Sequence, residues 1–274
     1  MMKKKKGSDQ MEQLDKILSE MEQIVRKAGT ALMDREKART VREKGYADFV
    51  TEVDLQVQTM IRTGLSERFP QIPFMGEEQS NETVDLSGPV WVLDPVDGTT
   101  NLIHDFKMSA ISLGLVQNGT PVAGVIYQPY LDEMFTARQG GGAFLNGRPI
   151  RVSRSQSLRE CIIALGTSPY HHDLADRTFA AAKQVFLASM DIRRTGSAAM
   201  DLCYVAAGRV DGMFELILQP WDFAAGKLLV EEAGGKLTSM ENSDISAVAP
   251  SSILATNGSI HDELAQLFAR LGAE

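Results

Sequence analysis

The chain reads as a layered α/β protein with mixed strands. Near the start, apolar residues recur at helical three-and-four spacing. Through the middle the period shortens to strand-like alternation, and over the second half helical and strand-like segments alternate. Met11, Leu14, Leu18, Met21, Val25, Ala28 and Leu32 line one helical face, a pattern that dissolves into Arg35-Glu36-Lys37. A second helix follows Asp54, with Val57, Met60, Ile61 and Leu65 on one side, and Pro70 ends it. Pro73-Phe74-Met75 is a short strand-like piece, and Val90-Trp91-Val92-Leu93 is a buried strand with Asp94 at its tip. From 109 to about 152 a β-meander is expected: Ile111, Leu113 and Leu115 alternate, Asn118-Gly119 and Asn146-Gly147 turn, and Gly140, Gly141 and Gly142 join two further strands. A helix near 174–189, a strand at 191–194, a helix over 198–207, a strand over 210–218 and a helix over 221–233 stopped by Gly234-Gly235 come next. A strand at 253–256 and a helix over 260–271 close the chain. There is no internal repeat or low-complexity linker. Two halves, 9–152 and 153–274, are therefore expected to pack rigidly, with 1–8 a disordered, solvated tail.

Composition removes several classes. With 274 residues and 43% hydrophobic side chains the chain can bury a sizeable core. Its 28 lysines and arginines against 36 acidic residues give a net charge of -8, so it is a poor candidate for nucleic-acid binding, which needs a positive field. No apolar run approaches the length of a membrane span, and Lys3 to Lys6 lead into polar Gly7-Ser8-Asp9-Gln10 rather than a signal-peptide core. Two cysteines, Cys161 and Cys203, exclude a disulfide framework and favour a reducing, cytoplasmic setting. The four histidines lack partners at metal-ligand spacing and do not read as a zinc site.

The chemistry concentrates in Asp94-Pro95-Val96-Asp97-Gly98-Thr99-Thr100-Asn101. Two carboxylates flank a stiffening proline just after a buried strand. Gly98 then lets backbone approach a ligand, and the threonines open a helix. Hard oxygen ligands beside an anion-binding turn suit Mg²⁺ and phosphate together. Simple capping accounts for one aspartate better than for two. Pro95 and Val96 break EF-hand spacing, no Asp-x-Asp pair exists for an aspartyl-phosphate enzyme, and no P-loop sequence is present.

Gly76-Glu77-Glu78, then this aspartate segment, then Trp221-Asp222-Phe223-Ala224-Ala225-Gly226 and Glu231-Glu232-Ala233-Gly234-Gly235, resemble in order and spacing the inositol monophosphatase family. The resemblance runs from about Met11 to Gly272. It implies a layered α/β/α/β/α sandwich of the inositol monophosphatase and fructose-1,6-bisphosphatase type, and lithium-sensitive, Mg²⁺-dependent hydrolysis of a phosphate monoester, with Mn²⁺ as a substitute. By matching position, Glu77, Asp94 and the carbonyl of Val96 hold one ion and Asp94, Asp97 and Asp222 a second, while Glu77 faces a third. Thr99 with Asp54 orients the attacking water, helped by Glu77. Gly98 and Thr99 grip phosphate, with Asp97 and Asp222 beside it. Lys44 lies near the metals. Gly196, Ser197, Ala198 and Glu215 match positions that contact hydroxyls of the substrate ring.

The implied substrate is inositol 1-phosphate or a similar small polyol or sugar phosphate. Nicotinamide dinucleotide phosphate, fructose 1,6-bisphosphate and histidinol phosphate are the competing substrates on the same scaffold. A binding or regulatory role in transcription or RNA processing is the alternative of a different class. A homodimer is implied by the resemblance alone. The chain departs from the family pattern at Ile103-His104-Asp105-Phe106-Lys107 and at Leu218-Gln219-Pro220, and both stretches bear on the walls around the metals.

Overall fold

The computed structural model describes residues 2–45 and 48–271, with side chains from Met11 onward. Helix α1 (Met2–Gly29) passes through a 3₁₀ turn into the short α2 (Arg35–Ala38). Its backbone starts before the periodic stretch and takes in 2–8, where a disordered tail was expected. A hairpin, β1 (Val41–Gly45) and β2 (Asp48–Thr51), leads into α3 (Glu52–Arg68). Strands β3 (Phe74–Gly76) and β4 (Pro89–Asp97), the one-turn α4 (Thr99–Ile103) and β5 (Ala110–Gln117) follow. The meander continues with β6 (Thr120–Gln128), β7 (Glu133–Arg138), β8 (Gly142–Leu145) and β9 (Arg148–Pro149). The second half runs β10 (Ile162–Leu165), α5 (Ala175–Ala188), β11 (Asp191–Arg193), α6 (Ala198–Ala206), β12 (Gly212–Leu218) and α7 (Pro220–Glu232). It ends with β13 (Lys236–Thr238), β14 (Ser251–Thr256) and α8 (His261–Leu271).

β3 to β9 form a seven-stranded sheet in sequence order, antiparallel except for the β3–β4 pair. The second sheet has the order β11-β10-β12-β14-β13, parallel on one side and antiparallel where β14 pairs with β12 and β13. Side-chain alternation sets the layers. On β4, Trp91 and Leu93 point to α1 and α3 and join their core, with Val25, Val57 and Ile61. Val90 and Val92 point the other way, into a core shared with Met200, Leu202, Phe223 and Leu229 of α6 and α7 and Met213 and Ile253 of the second sheet. Beyond that sheet, Val185 of α5 and Leu264 and Phe268 of α8 cover Ile163, Phe214 and Leu254. The order is thus helix, sheet, helix, sheet, helix, the five-layer sandwich expected.

The glycines at 140–142 form a turn, as their spacing predicted. Gly140 and Gly142 take positive φ, and their amides each donate at 2.7 Å to the Glu232 carboxylate at the end of α7. Among the described residues no helix is long and apolar enough to cross a membrane.

Candidate active site

The aspartate segment lies where β4 leaves its ladder. Pairing with β5 is regular from Pro89 opposite Gln117 to Asp94 opposite Ser112, then skips to Asp97 opposite Ala110. Inside the skip the Asp94 carboxylate accepts the Val96 amide at 2.9 Å. Gly98 then takes φ 87°, and a Cβ there would stand 2.9 Å from the Met108 carbonyl oxygen, so glycine alone fits. The Asn101 side chain ties the turn down, donating to the carbonyls of Met108 at 2.7 Å and Thr195 at 3.0 Å.

Asp222 reaches the same place because α7 lies flat on the first sheet. Gly114 and Gly124 are direct register partners, and a Cβ on Gly124 would approach the Cα and carbonyl oxygen of Ala225 to 3.1 Å. Pro220 opens α7, and Asp222 in the first turn accepts the Gln219 amide at 2.7 Å. Ser112, opposite Asp94, donates its hydroxyl to the Trp221 carbonyl at 3.1 Å and locks helix to strand. Oxygens of Asp94, Asp97 and Asp222 consequently lie within 4.8 Å of one another.

Glu77 completes the group. Its amide donates to the Leu93 carbonyl at 3.2 Å, and its buried carboxyl stands close enough to Asp94 to raise that residue's proton affinity. Two buried carboxylates in that contact need a shared proton or a cation between them. Burial pushes Glu77 up to about 7 and Asp94 well above the usual range, and the neighbouring negative charges add to both shifts. Burial, then Asp97 and Glu77, raise Asp222 as well. Asp97 rises to about 6 through burial, held back by the Ser197 hydroxyl and the first amides of α6. Ala199 donates its amide to Asp97 at 2.8 Å, so this carboxylate also anchors α6. The donors are hard oxygens of excess negative charge, the set that suits Mg²⁺ or Mn²⁺. Lys44 on the β1–β2 hairpin supplies a cation, with Nζ 2.7 Å from Glu78, 3.3 Å from Asp48 and 3.5 Å from Glu77. Burial opposes its charge, but these three carboxylates raise its pKa on balance.

Asp54 is fully buried at the start of α3, where it accepts the Thr51 amide at 2.9 Å. Its other oxygen lies 3.0 Å from the Thr99 hydroxyl, which is also 3.0 Å from the Val96 carbonyl. Burial raises Asp54 against the pull of these bonds.

The rest of a cleft of about 590 Å³ comes from the second half. Gly196, Ser197 and Ala198 line it at the start of α6, where Ser197 is the N-cap, accepting from Met200 at 3.2 Å and donating to Asp97. Glu215 lies inside β12. It is 5% exposed, its Oε1 accepts the Ser168 amide at 2.8 Å, and burial pushes it up to about 7. Three contributors carried no motif. The loop from Gly166 to His171 walls the cleft, Asp201 is buried on α6 with Thr195 donating to it at 2.8 Å, and Arg194 stands at the mouth. An aspartate inside the otherwise apolar run 198–206 was a sequence signal for Asp201 alone.

A family model for the inositol monophosphatase family matches residues 13–273. An inositol-1-monophosphatase of Synechocystis is 39% identical over 235 residues, covering 85% of this chain and 81% of that protein. A Nus factor SuhB of Salmonella typhimurium is 38% identical over 255 residues, covering 89% and 96%. The crystal structure of an extragenic suppressor protein suhB from Bartonella henselae superimposes with a TM-score of 0.85 at 38% identity, over 92% of this chain and 98% of that one. With an acidic centre built from three of the four segments that carried the resemblance, and relatives matching at this identity along nearly the whole length, the chain belongs to the inositol monophosphatase family.

Proposed function

We propose that this protein is a Mg²⁺-dependent phosphatase that hydrolyses inositol 1-phosphate or a similar small polyol phosphate. One observation carries the reading: Asp94, Asp97 and Asp222 converge within 4.8 Å, with Glu77 against them and the Thr99–Asp54 pair alongside. Glu77, Asp94, Asp97, Asp222 and the Val96 carbonyl would hold the metal. Bound there, Mg²⁺ or Mn²⁺ supplies Lewis-acid charge to the phosphoryl oxygens and eases the ionisation of water.

The chain's own groups do the rest. Thr99 donates its hydroxyl proton to Asp54, 3.0 Å away, and so turns a lone pair toward water. Asp54, its proton affinity raised by burial, accepts the proton that Thr99 passes on. The first amides of α4, unsatisfied by the helix itself, face the phosphate. Glu215, oriented by Ser168, accepts a hydroxyl of the alcohol. Two buried, unpaired cysteines are in keeping with a cytoplasmic setting. Exposed Phe179, Phe186, Leu187 and Met190, along α5 and just past its end, offer apolar area for the second copy of a homodimer.

The test is phosphate release with Mg²⁺ from inositol 1-phosphate, fructose 1,6-bisphosphate, histidinol phosphate and nicotinamide dinucleotide phosphate. Mg²⁺-dependent turnover, greatest on inositol 1-phosphate and inhibited by Li⁺, is expected. If no ester is cleaved, the catalytic reading fails. A role in transcription, favoured by the 38% identity to the Salmonella Nus factor, then takes its place.

A further inference from the structure

The outer face of the second sheet holds another cavity, of about 1110 Å³, that the hydrolysis of a phosphate ester does not use. It opens between α5 and α8, where Ala180 and Ala181 on one helix and Ala265 and Ala269 on the other are too short to fill the gap. Its floor is apolar: Leu216 of β12, Met240 and Phe268 belong to the core of the outer layer. The edge is held in place by Ser252, whose hydroxyl donates to Glu241 at 3.2 Å and accepts the Met240 amide at 3.1 Å, tying the turn after β13 to β14. Three carboxylates, Asp176, Glu241 and Asp262, share the lining with one guanidinium, Arg177. Lys236 stands 3.5 Å from Asp262 and Arg177 acts on Glu241, while Asp176 forms no ion pair among the described residues. The cavity backs onto the active site through β12. Pairing with β14 runs to Glu215 opposite Ile253 and resumes at Leu218 opposite Ser251, so Leu216 and Ile217 bulge against the single residue Ser252. Glu215 and Ile217 line the catalytic cleft, whereas Leu216 and Ser252 line the cavity. The Ile217 carbonyl accepts the Ser168 hydroxyl at 3.4 Å, and the Ser168 amide orients Glu215.

We propose that this cavity binds a small amphipathic organic cation, and that its occupancy weakens substrate binding by displacing Glu215 through the bulge in β12. The apolar body lies on Leu216, Met240 and Phe268, and the ammonium group meets Asp176. A concave site with an apolar floor and a few polar groups at its edge has the form of a small-molecule pocket, and its volume is of that order. The excess of carboxylates at the edge selects a cation over an anion. A ligand pressing on Leu216 and Ser252 acts where β12 has left its ladder and yields most easily. The strand's other side holds Ser168 and Glu215, so the displacement reaches the group that accepts the substrate's hydroxyl. The binding stands apart from the phosphatase reading above, and its effect on the substrate rests on that reading.

Calorimetric titration of the Mg²⁺-loaded protein with 4-phenylbutylammonium, and with 5-phenylpentanoate as its anionic counterpart, measures binding without turnover. Saturable binding of the cation with a Kd at or below about 1 mM is expected, with the anion about tenfold weaker. Ala269→Trp fills the cavity from an exposed helix position and should abolish binding, and Ala180→Trp repeats the block from α5. Asp176→Asn should weaken it about two- to fivefold. No saturable binding, equal binding of the anion, or binding undiminished in both tryptophan variants overturns the proposal. With inositol 1-phosphate as substrate, saturating 4-phenylbutylammonium should raise KM about fivefold in the wild type and leave it unchanged in Ala269→Trp. A wild-type KM that does not move overturns the link through β12. A protein that binds the cation and releases no phosphate overturns the phosphatase reading and leaves the cavity's ligand standing.

Discussion

Adding one methyl group at Gly124 should disturb a metal ligand that sits on another element. The Cβ of Gly124→Ala would lie 3.1 Å from the Cα and carbonyl oxygen of Ala225 and 3.3 Å from its Cβ. Those atoms belong to helix backbone and cannot rotate away, so α7 as a whole must lift by a few tenths of an ångström. Overpacking of this kind costs about 1–3 kcal/mol, offset by about 0.5–1 kcal/mol from the stiffer unfolded chain. The net loss is about 1–2 kcal/mol, or a Tm lower by about 2–8 °C for a chain of this size. Asp222 lies one turn before Ala225, so the half-saturating Mg²⁺ concentration should rise as well. Gly114→Ala is the matched control. It sits directly opposite in the register, yet its new Cβ would meet Ala224 Cβ and the Ala225 amide at an ordinary 3.4 Å. Thermal unfolding and Mg²⁺ titrations of phosphate release would follow both variants. A Gly124→Ala protein with wild-type Tm and Mg²⁺ dependence, or a Gly114→Ala protein damaged equally, would refute the account of how Asp222 is placed.

Ser112→Ala removes the hydroxyl held by the Trp221 carbonyl and should cost about 1 kcal/mol, read as a lower Tm and a higher Mg²⁺ requirement. Without metal, stability should fall as pH rises from about 4.5 to 7: the folded protein holds the Glu215 proton up to about 7, so that contribution is complete below the unfolded value and disappears above it. Glu215→Gln should flatten that limb of a urea-unfolding series. His261 acts with the opposite sign. Buried between the hydroxyls of Thr238 at 3.0 Å and Thr256 at 2.9 Å, it is pushed down to about 4 by burial and Lys236. Its contribution is complete above about 6.5 and lost as pH falls toward 4, a limb that His261→Gln should flatten.

The long helices and the meander were legible because each has one buried face and hence one period. α7, buried nearly all round, has no such period, and Trp221-Asp222 and the terminal glycines marked it instead. The hairpin that carries Lys44 left no trace, since β1 is exposed along its length and charged at three of five positions. β10 and β13 are too short, at four and three residues, to show alternation. At the site, the segments rich in paired carboxylates and glycine were readable as chemistry. Their convergence was not, because it depends on the close approach of α7 at Gly124 and on the Ser112–Trp221 bond, contacts between residues that are bland in the sequence. Ser168, Arg194 and Asp201 are single polar residues outside any motif, brought to the cleft by the second sheet.

The most direct test of the metal assignment is phosphate release from inositol 1-phosphate as a function of Mg²⁺ in wild type and Asp97→Asn, with Tm measured in parallel. Asparagine keeps an oxygen to accept from Ser197 and Ala199, so the fold should persist. The account predicts saturable Mg²⁺-dependent release and a Mg²⁺-raised Tm in the wild type, and neither in a folded Asp97→Asn protein. Wild-type release and Mg²⁺ dependence in that variant would contradict it.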